Sequence, residues 1–83
     1  MHITFKLYAS LTDYLPARED KHAVKLDVPE AITPNELIDQ YQVPREMAHL
    51  VLLNGIYLNP DDRDQSVFKE GDTLAIWPPV AGG

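Results

Sequence analysis

The strongest constraint on the fold of this chain is a well-marked helix start in the middle of the sequence. Thr33 is placed to cap the helix, Pro34 follows at the first helical position, and Glu36 completes a capping box. Apolar residues then recur on one side of the segment as far as Tyr41, which is the spacing of a half-buried helix. The sequence therefore predicts a helix that runs from Pro34 to about Gln42.

Segments with the apolar pattern of β-strands lie on both sides of this helix. Apolar and polar residues alternate in the first two segments, whereas the continuous apolar run after the helix is typical of an interior strand. Asn54-Gly55 follows that run and is a strong hairpin signal. A short helix or turn is predicted over residues 11–15. The predicted strands cover residues 3–8, 24–28, 50–53, 56–58 and 73–77. This order predicts an α+β domain with helices packed on one face of a mixed sheet.

Composition narrows the classes of function. The chain has 83 residues, enough for one small domain, and its lack of cysteine excludes disulfides, thiolate metal sites and a thiol nucleophile. A net charge of −6 argues against nucleic acid and anionic membranes as partners, and favours a partner with a basic docking surface. The sequence contains no long apolar run and does not open like a signal peptide, so a cytoplasmic protein is expected.

No group of side chains has the spacing of a metal site or of a self-contained active site. His2, His22 and His49 fall in three separate segments, so they are predicted to be surface residues and no metal is expected. The acidic loop 59–65 lacks the glycine and the distal glutamate of a calcium loop. The charged loop 18–21 is interpreted as a solvated surface. No nucleophile elbow or phosphate-binding loop is present either.

The C-terminal segment is the part of the sequence that suggests chemistry. It reads Trp77-Pro78-Pro79-Val80-Ala81-Gly82-Gly83. The two prolines fix φ and stiffen the start of the segment, whereas the two glycines admit almost any backbone geometry and carry no side chain. We therefore predict a folded domain over residues 1–79 and a flexible tail over residues 80–83. That tail is suited to deliver the Gly83 carboxylate into the active site of another protein.

Trp77 lies where the last strand meets this tail, and its environment bears on function. If Leu74 and Ile76 face the helix, alternation places Trp77 on the opposite face of the sheet, where Tyr8 and Tyr57 are its expected neighbours. An exposed tryptophan beside a functional tail is typical of an interface anchor. A core position is the alternative, because large aromatic residues in so small a domain are usually buried.

Three segments together resemble the ubiquitin-like sulfur carriers. They are Val51-Leu52-Leu53-Asn54-Gly55, Phe68-Lys69-Glu70-Gly71-Asp72-Thr73-Leu74-Ala75-Ile76 and the ending from Trp77 to Gly83. Within this family the likeness is strongest to the small subunits of molybdopterin synthase, which end in an aromatic residue followed by Pro-Pro-Val-x-Gly-Gly. The resemblance implies a β-grasp fold.

The resemblance also implies a partner chemistry. An E1-like, ATP-dependent enzyme would adenylate the Gly83 carboxylate, and sulfur would replace the adenylate to give a thiocarboxylate. The tail, with Trp77 to Ala81 contacting the partner and Gly82 beside the reacting group, would then enter the large subunit of the synthase, which uses the sulfur to build the dithiolene of molybdopterin. No cofactor would be bound by this chain itself, and ATP would belong to the partner enzyme. A terminal carboxylate is ionised at neutral pH and is a poor acyl donor, so it needs this activation.

Several readings of the same ending stay open at this point. The thiamine-pathway carriers and the carriers of other thiolation pathways share the Gly-Gly ending. A protein modifier would use the Gly83 carboxylate to form an isopeptide bond with lysines of its targets. In a plain interaction domain, the two glycines would be incidental.

Overall fold

A five-stranded mixed sheet forms the frame of the domain in the computed structural model, which describes residues 1–79. Its strands run in the spatial order β2-β1-β5-β3-β4, with β1 and β5 parallel and the other neighbouring pairs antiparallel. The elements are β1 (His2–Leu7), β2 (Ala23–Asp27), the helix α1 (Pro34–Gln40), β3 (Leu50–Leu53), β4 (Ile56–Tyr57) and β5 (Thr73–Trp77). The predicted order of elements is therefore confirmed, and the predicted tail over residues 80–83 lies outside the described residues.

Helix α1 begins where the sequence predicts and ends two residues early. The Thr33 hydroxyl accepts the Glu36 amide at 3.1 Å and the Glu36 carboxylate accepts the Thr33 amide at 3.1 Å, so the capping box is complete. At the other end, Gln42 has a φ of 62°, in the left-handed region. The amide of Val43 then donates to the Ile38 carbonyl at 3.1 Å, which closes the last turn as a Schellman motif.

Short 3₁₀ helices fill the connections. They cover Ala9–Tyr14, Arg45–Met47 and Pro60–Asp62. The first of these is the short helix or turn that the sequence predicts over residues 11–15. The predicted hairpin is also present, since both Asn54 and Gly55 have positive φ, as a tight two-residue turn between β3 and β4 requires.

The core lies between one face of the sheet and helix α1. Strand residues that point inward alternate with residues that point outward, and the inward set is almost fully buried. On the sheet this set consists of Ile3, Phe5, Leu7, Val51, Leu74 and Ile76, and on the helix of Leu37 and Ile38. Because all the packing of α1 is directed to this face, the opposite face of the sheet is left to form a surface.

Candidate functional site

The second face of the sheet, here called the open face, carries large apolar side chains on the part formed by β3, β4 and the end of β5. Strand pairing aligns Tyr57, Leu52, Ala75 and Lys6 in one row across four strands. The next row along places Leu50 of β3 beside Trp77 of β5. Large apolar side chains remain accessible here, since Leu50 is 37% and Tyr57 is 48% exposed. An accessible apolar surface on so small a domain indicates a place where another molecule binds.

Trp77 stands on the open face at the end of β5, as alternation along the strand predicts, and not in the core; its role as an interface anchor stays a prediction. Leu74 and Ile76 are fully buried toward the helix, whereas Trp77 is only half-buried. Its indole lies parallel to the Tyr8 ring, with 4.2 Å between the ring centroids and 1° between the planes. Its carbonyl accepts the His49 amide at 3.1 Å. Both the backbone and the ring of Trp77 are therefore held in place.

The two prolines after Trp77 differ in their environment. Pro78 is buried against the domain, whereas Pro79 is exposed. Pro79, the last residue that the structure describes, is therefore at the surface and two positions from Trp77; this end of the described chain is called the chain exit. The remaining predicted site residues, Val80, Ala81, Gly82 and Gly83, lie outside the described residues, and their roles stay predictions.

A groove of about 330 Å³ runs along the open face beside Trp77. Leu52, Ala75 and the rings of Tyr8 and Trp77 supply its apolar lining, and Lys6 supplies a cation. None of the described residues that line the groove carries a carboxylate, although the whole chain has a net charge of −6. The lining thus carries one cation and no carboxylate of its own, while the nearby Asp72 carboxylate accepts a hydrogen bond from the lining residue Asn54 at 2.9 Å.

Two arginines in loops that the sequence interprets as solvated make structural contacts that the sequence analysis did not predict. Arg63 is 7% exposed and donates hydrogen bonds to the carbonyls of Leu58 and Ala48, and to the Tyr57 hydroxyl. Its guanidinium carbon lies 5.7 Å from the centroid of the Tyr57 ring. Arg63 therefore holds Tyr57 in place at the β4 edge of the open face. The only sign of this role in the sequence is that Arg63 lies inside an otherwise acidic loop.

Arg18 has a comparable role on the other side of the open face, in a loop whose residues 19–21 are exposed as the sequence predicts. It donates five hydrogen bonds of 2.9–3.3 Å to backbone carbonyls, which belong to Thr12, Leu15, Pro16 and Lys21. The ordered loop leads into His22, whose ring lies on Tyr8 with 4.8 Å between centroids and 21° between planes. Sequence reasoning placed His22 on the surface and gave no signal for this contact.

The histidines do not converge on a common site. The His2 amide donates to Glu70 at 2.8 Å and holds the pKa of that carboxyl below its ordinary value, while His2 Nδ1 lies 3.2 Å from Glu70 Oε2. Within residues 1–79, no three histidine, aspartate or glutamate side chains lie close enough together to hold a metal ion. The same part of the chain contains no helix long and apolar enough to cross a membrane.

Comparisons with known sequences agree on the family to which this chain is similar. A sequence model of the ThiS family matches residues 9–83 of this chain. The molybdopterin synthase sulfur carrier subunit of Drosophila ananassae is 35% identical over 63 residues, which cover 71% of this chain and 70% of that protein. The protein of the same name from Drosophila sechellia is 37% identical over 62 residues, which cover 70% of this chain and 69% of that protein.

Solved structures share the architecture. SAMP1 from Haloferax volcanii superimposes with a TM-score of 0.67 at 25% identity, over 100% of both chains. A second crystal structure, of Haloferax volcanii small archaeal modifier protein 1, gives a TM-score of 0.60 at 25% identity, over 95% of this chain and 98% of that one. The predicted ubiquitin-like β-grasp fold is therefore confirmed.

Proposed function

Because this chain belongs to the ThiS family, as the resemblance of its C-terminal third predicted, we propose that it is a sulfur carrier and the small subunit of a molybdopterin synthase. The observation that carries the proposal is the 35–37% identity to relatives named molybdopterin synthase sulfur carrier subunits. The position of Trp77 and of the chain exit beside the groove on the open face supports it. A carrier needs such a surface in order to present its terminus to partners.

The Gly83 carboxylate is the proposed carrying group. One carboxylate oxygen attacks the α-phosphate of ATP on an E1-like adenylating enzyme, and pyrophosphate leaves. Sulfur at the oxidation level of hydrosulfide then attacks the activated carbonyl carbon, its proton passes to solvent, and AMP leaves with the oxygen. The result is a thiocarboxylate at Gly83. Since the chain contains no cysteine, the terminus is the place where it can carry this sulfur.

The open face is the proposed docking surface for the large subunit and for the adenylating enzyme. Trp77 is the anchor, because a half-buried tryptophan in a fixed orientation loses little conformational freedom on binding. Pro78 and Pro79 stiffen the exit, and Val80 and Ala81 follow into the partner. Residues 80–83 span at most about 14 Å when fully extended, so the carboxylate reaches a buried centre while the domain stays outside.

A protein modifier is the second candidate, because the two Haloferax volcanii structures belong to a protein named as a small archaeal modifier. Both candidates require adenylation of Gly83. They differ in the acceptor of the activated carbonyl, which is sulfur for the carrier and a lysine amine for the modifier. Carriers of the thiamine pathway or of another thiolation pathway differ only in the enzyme that consumes the sulfur.

ATP–pyrophosphate exchange with the adenylating enzyme of the host tests the proposed role of Gly83. We expect the native chain to support exchange, and a variant extended by one alanine after Gly83 to lose it. The extension moves the carboxylate by about 3.5 Å, well beyond the tolerance of a preorganised site. Equal exchange by both chains would contradict the proposal.

A further inference from the structure

We infer that Tyr8 and His22 are positioning residues that hold Trp77 in its docking orientation. This inference rests on the proposed function, because it explains how the anchor of the proposed docking surface is ordered. Neither residue belongs to the C-terminal segment, and Tyr8 lies about seventy positions away in sequence. The fold nevertheless brings His22, Tyr8 and Trp77 together as three stacked rings at the chain exit.

Tyr8 is the middle ring of this stack. It lies 4.2 Å from Trp77 and 4.8 Å from His22, and its plane is within 1° of the first ring and 21° of the second. Two nearly parallel neighbours at these distances must lie on opposite faces of Tyr8. One face of the Trp77 indole is therefore covered, and the indole also lines the groove on the open face. Offset stacking of this kind favours a defined ring orientation.

The backbone at Tyr8 is organised for this arrangement. Strands β1 and β5 are parallel, so their carboxyl ends meet at one edge of the sheet and bring Tyr8 beside Trp77. The Tyr8 amide donates to the Ile76 carbonyl at 3.1 Å. The next residue, Ala9, has a φ of 52°, which is uncommon for a residue with a Cβ. Strained residues of this kind gather where the structure fixes a functional group.

The His22 ring is supported by the loop that precedes β2. The His22 amide donates to the Asp20 carboxylate at 2.8 Å, and His22 Nδ1 lies 3.3 Å from the Leu7 carbonyl. The five hydrogen bonds of Arg18 order the same loop. His22 does not line the groove. Its expected effect on a partner passes through Tyr8 to Trp77, and the quenching of Trp77 measures that effect in the absence of a partner. This separates positioning from direct contact.

The test uses the native chain, in which Trp77 is the single tryptophan and therefore reports on the stack directly. Tyr8→Leu keeps apolar bulk and removes the ring, whereas Tyr8→Phe keeps the ring. His22→Ala removes the support behind it. Tyr14→Leu is the matched control, because Tyr14 is exposed and does not belong to the stack. The measurements are acrylamide quenching of Trp77 emission in the free chain and affinity for the large subunit of the host's molybdopterin synthase.

We expect Tyr8→Leu and His22→Ala to make Trp77 more accessible to acrylamide and to weaken binding by about two- to tenfold, the cost of ordering one side chain. Tyr8→Phe should leave the quenching unchanged, because the stack uses the ring and not the hydroxyl, and Tyr14→Leu should leave both the quenching and the affinity unchanged. Unchanged quenching in Tyr8→Leu and His22→Ala overturns the inference. So does increased quenching with unchanged affinity, or an increase in quenching in Tyr8→Phe equal to that in Tyr8→Leu.

The two arms of this experiment separate the inference from the proposed function. The quenching measurement needs no partner, so it decides whether Tyr8 and His22 order Trp77 in the free chain. Failure of the native chain to bind the large subunit contradicts the proposed function and also overturns the docking role of the stack. Thermal unfolding of each variant shows whether it is folded. If Tyr8→Leu does not fold, the result for His22→Ala decides whether the stack orders Trp77.

Discussion

Replacing Arg63 with methionine is expected to cost a large part of the stability of this domain. Methionine keeps much of the apolar stem but removes the guanidinium, which leaves the Ala48 and Leu58 carbonyls without their donor. The bond to Ala48 is fully buried and the two to Leu58 are partly buried. An acceptor that loses its partner inside a protein costs about 1–3 kcal/mol. We therefore expect a loss of about 2–4 kcal/mol.

The expected loss from Arg63→Met is a large part of the total free energy of unfolding. A domain of this length has a free energy of unfolding of about 4–12 kcal/mol. With a urea dependence of about 1 kcal/mol per molar, the unfolding midpoint should fall by about 2–4 M. The assay is equilibrium urea unfolding followed by far-ultraviolet circular dichroism. Because Arg63 also donates to the Tyr57 hydroxyl, the open face should lose order at its β4 edge.

Arg45→Met is the matched control for this prediction. Arg45 is half exposed and forms a two-point ion pair with Asp39, at 3.0 and 2.7 Å, on the surface. Exposed ion pairs contribute little to stability, so the same substitution should shift the midpoint much less here. If Arg63→Met unfolds at the urea concentration of Arg45→Met, the reasoning about its buried hydrogen bonds is wrong.

The remaining predictions concern the chain exit, the strained turn and a surface carboxyl. Trp77→Ala should weaken binding to the large subunit by about 2 kcal/mol or more, measured by calorimetry, while the unfolding midpoint changes little; an unfolded variant would contradict the anchor role. Ala9→Gly should leave the domain as stable as before or more stable by up to about 1 kcal/mol, because glycine accepts the positive φ without strain, and a clear loss in urea unfolding would argue against strain at this turn. The hydrogen bonds from Arg45 hold the pKa of Asp39 below its ordinary value, so this carboxylate stabilises the fold above its unfolded pKa and loses that effect as pH falls through the depressed one. Asp39→Asn should therefore be less stable than the native chain at neutral pH and equal to it in acid; a difference that persists in strong acid would exclude this cause.

Local signals made the start of α1 and the hairpin predictable. The capping box at Thr33 and the Asn54-Gly55 turn are formed by residues within a few positions of each other, so their chemistry is visible in the sequence. The end of α1 was placed too late, because the left-handed residue that closes it is Gln42 and not the usual glycine. Without a glycine at this position, the sequence contains no local signal for the end of the helix.

The candidate site was predictable only in part, for a related reason. Alternation along β5 placed Trp77 on the open face, because that pattern depends on a period of two and on nothing distant. The roles of Arg18 and Arg63 were missed because most of their acceptors are backbone carbonyls, which every residue has, so no residue type marks in the sequence which carbonyls a guanidinium reaches. His22 was missed because its place in the stack depends on the pairing of β1 with β2 and on an ordered loop.

The central claim is that the Gly83 carboxylate carries sulfur, and the mass of the C-terminal fragment of the chain isolated from its native host tests it most directly. The account predicts a population that is heavier than the unmodified fragment by the difference between one sulfur and one oxygen. This increase should disappear in a host that lacks the E1-like adenylating enzyme. A fragment found only as the unmodified carboxylate, or only joined through an isopeptide bond to lysines of other proteins, would contradict the carrier function.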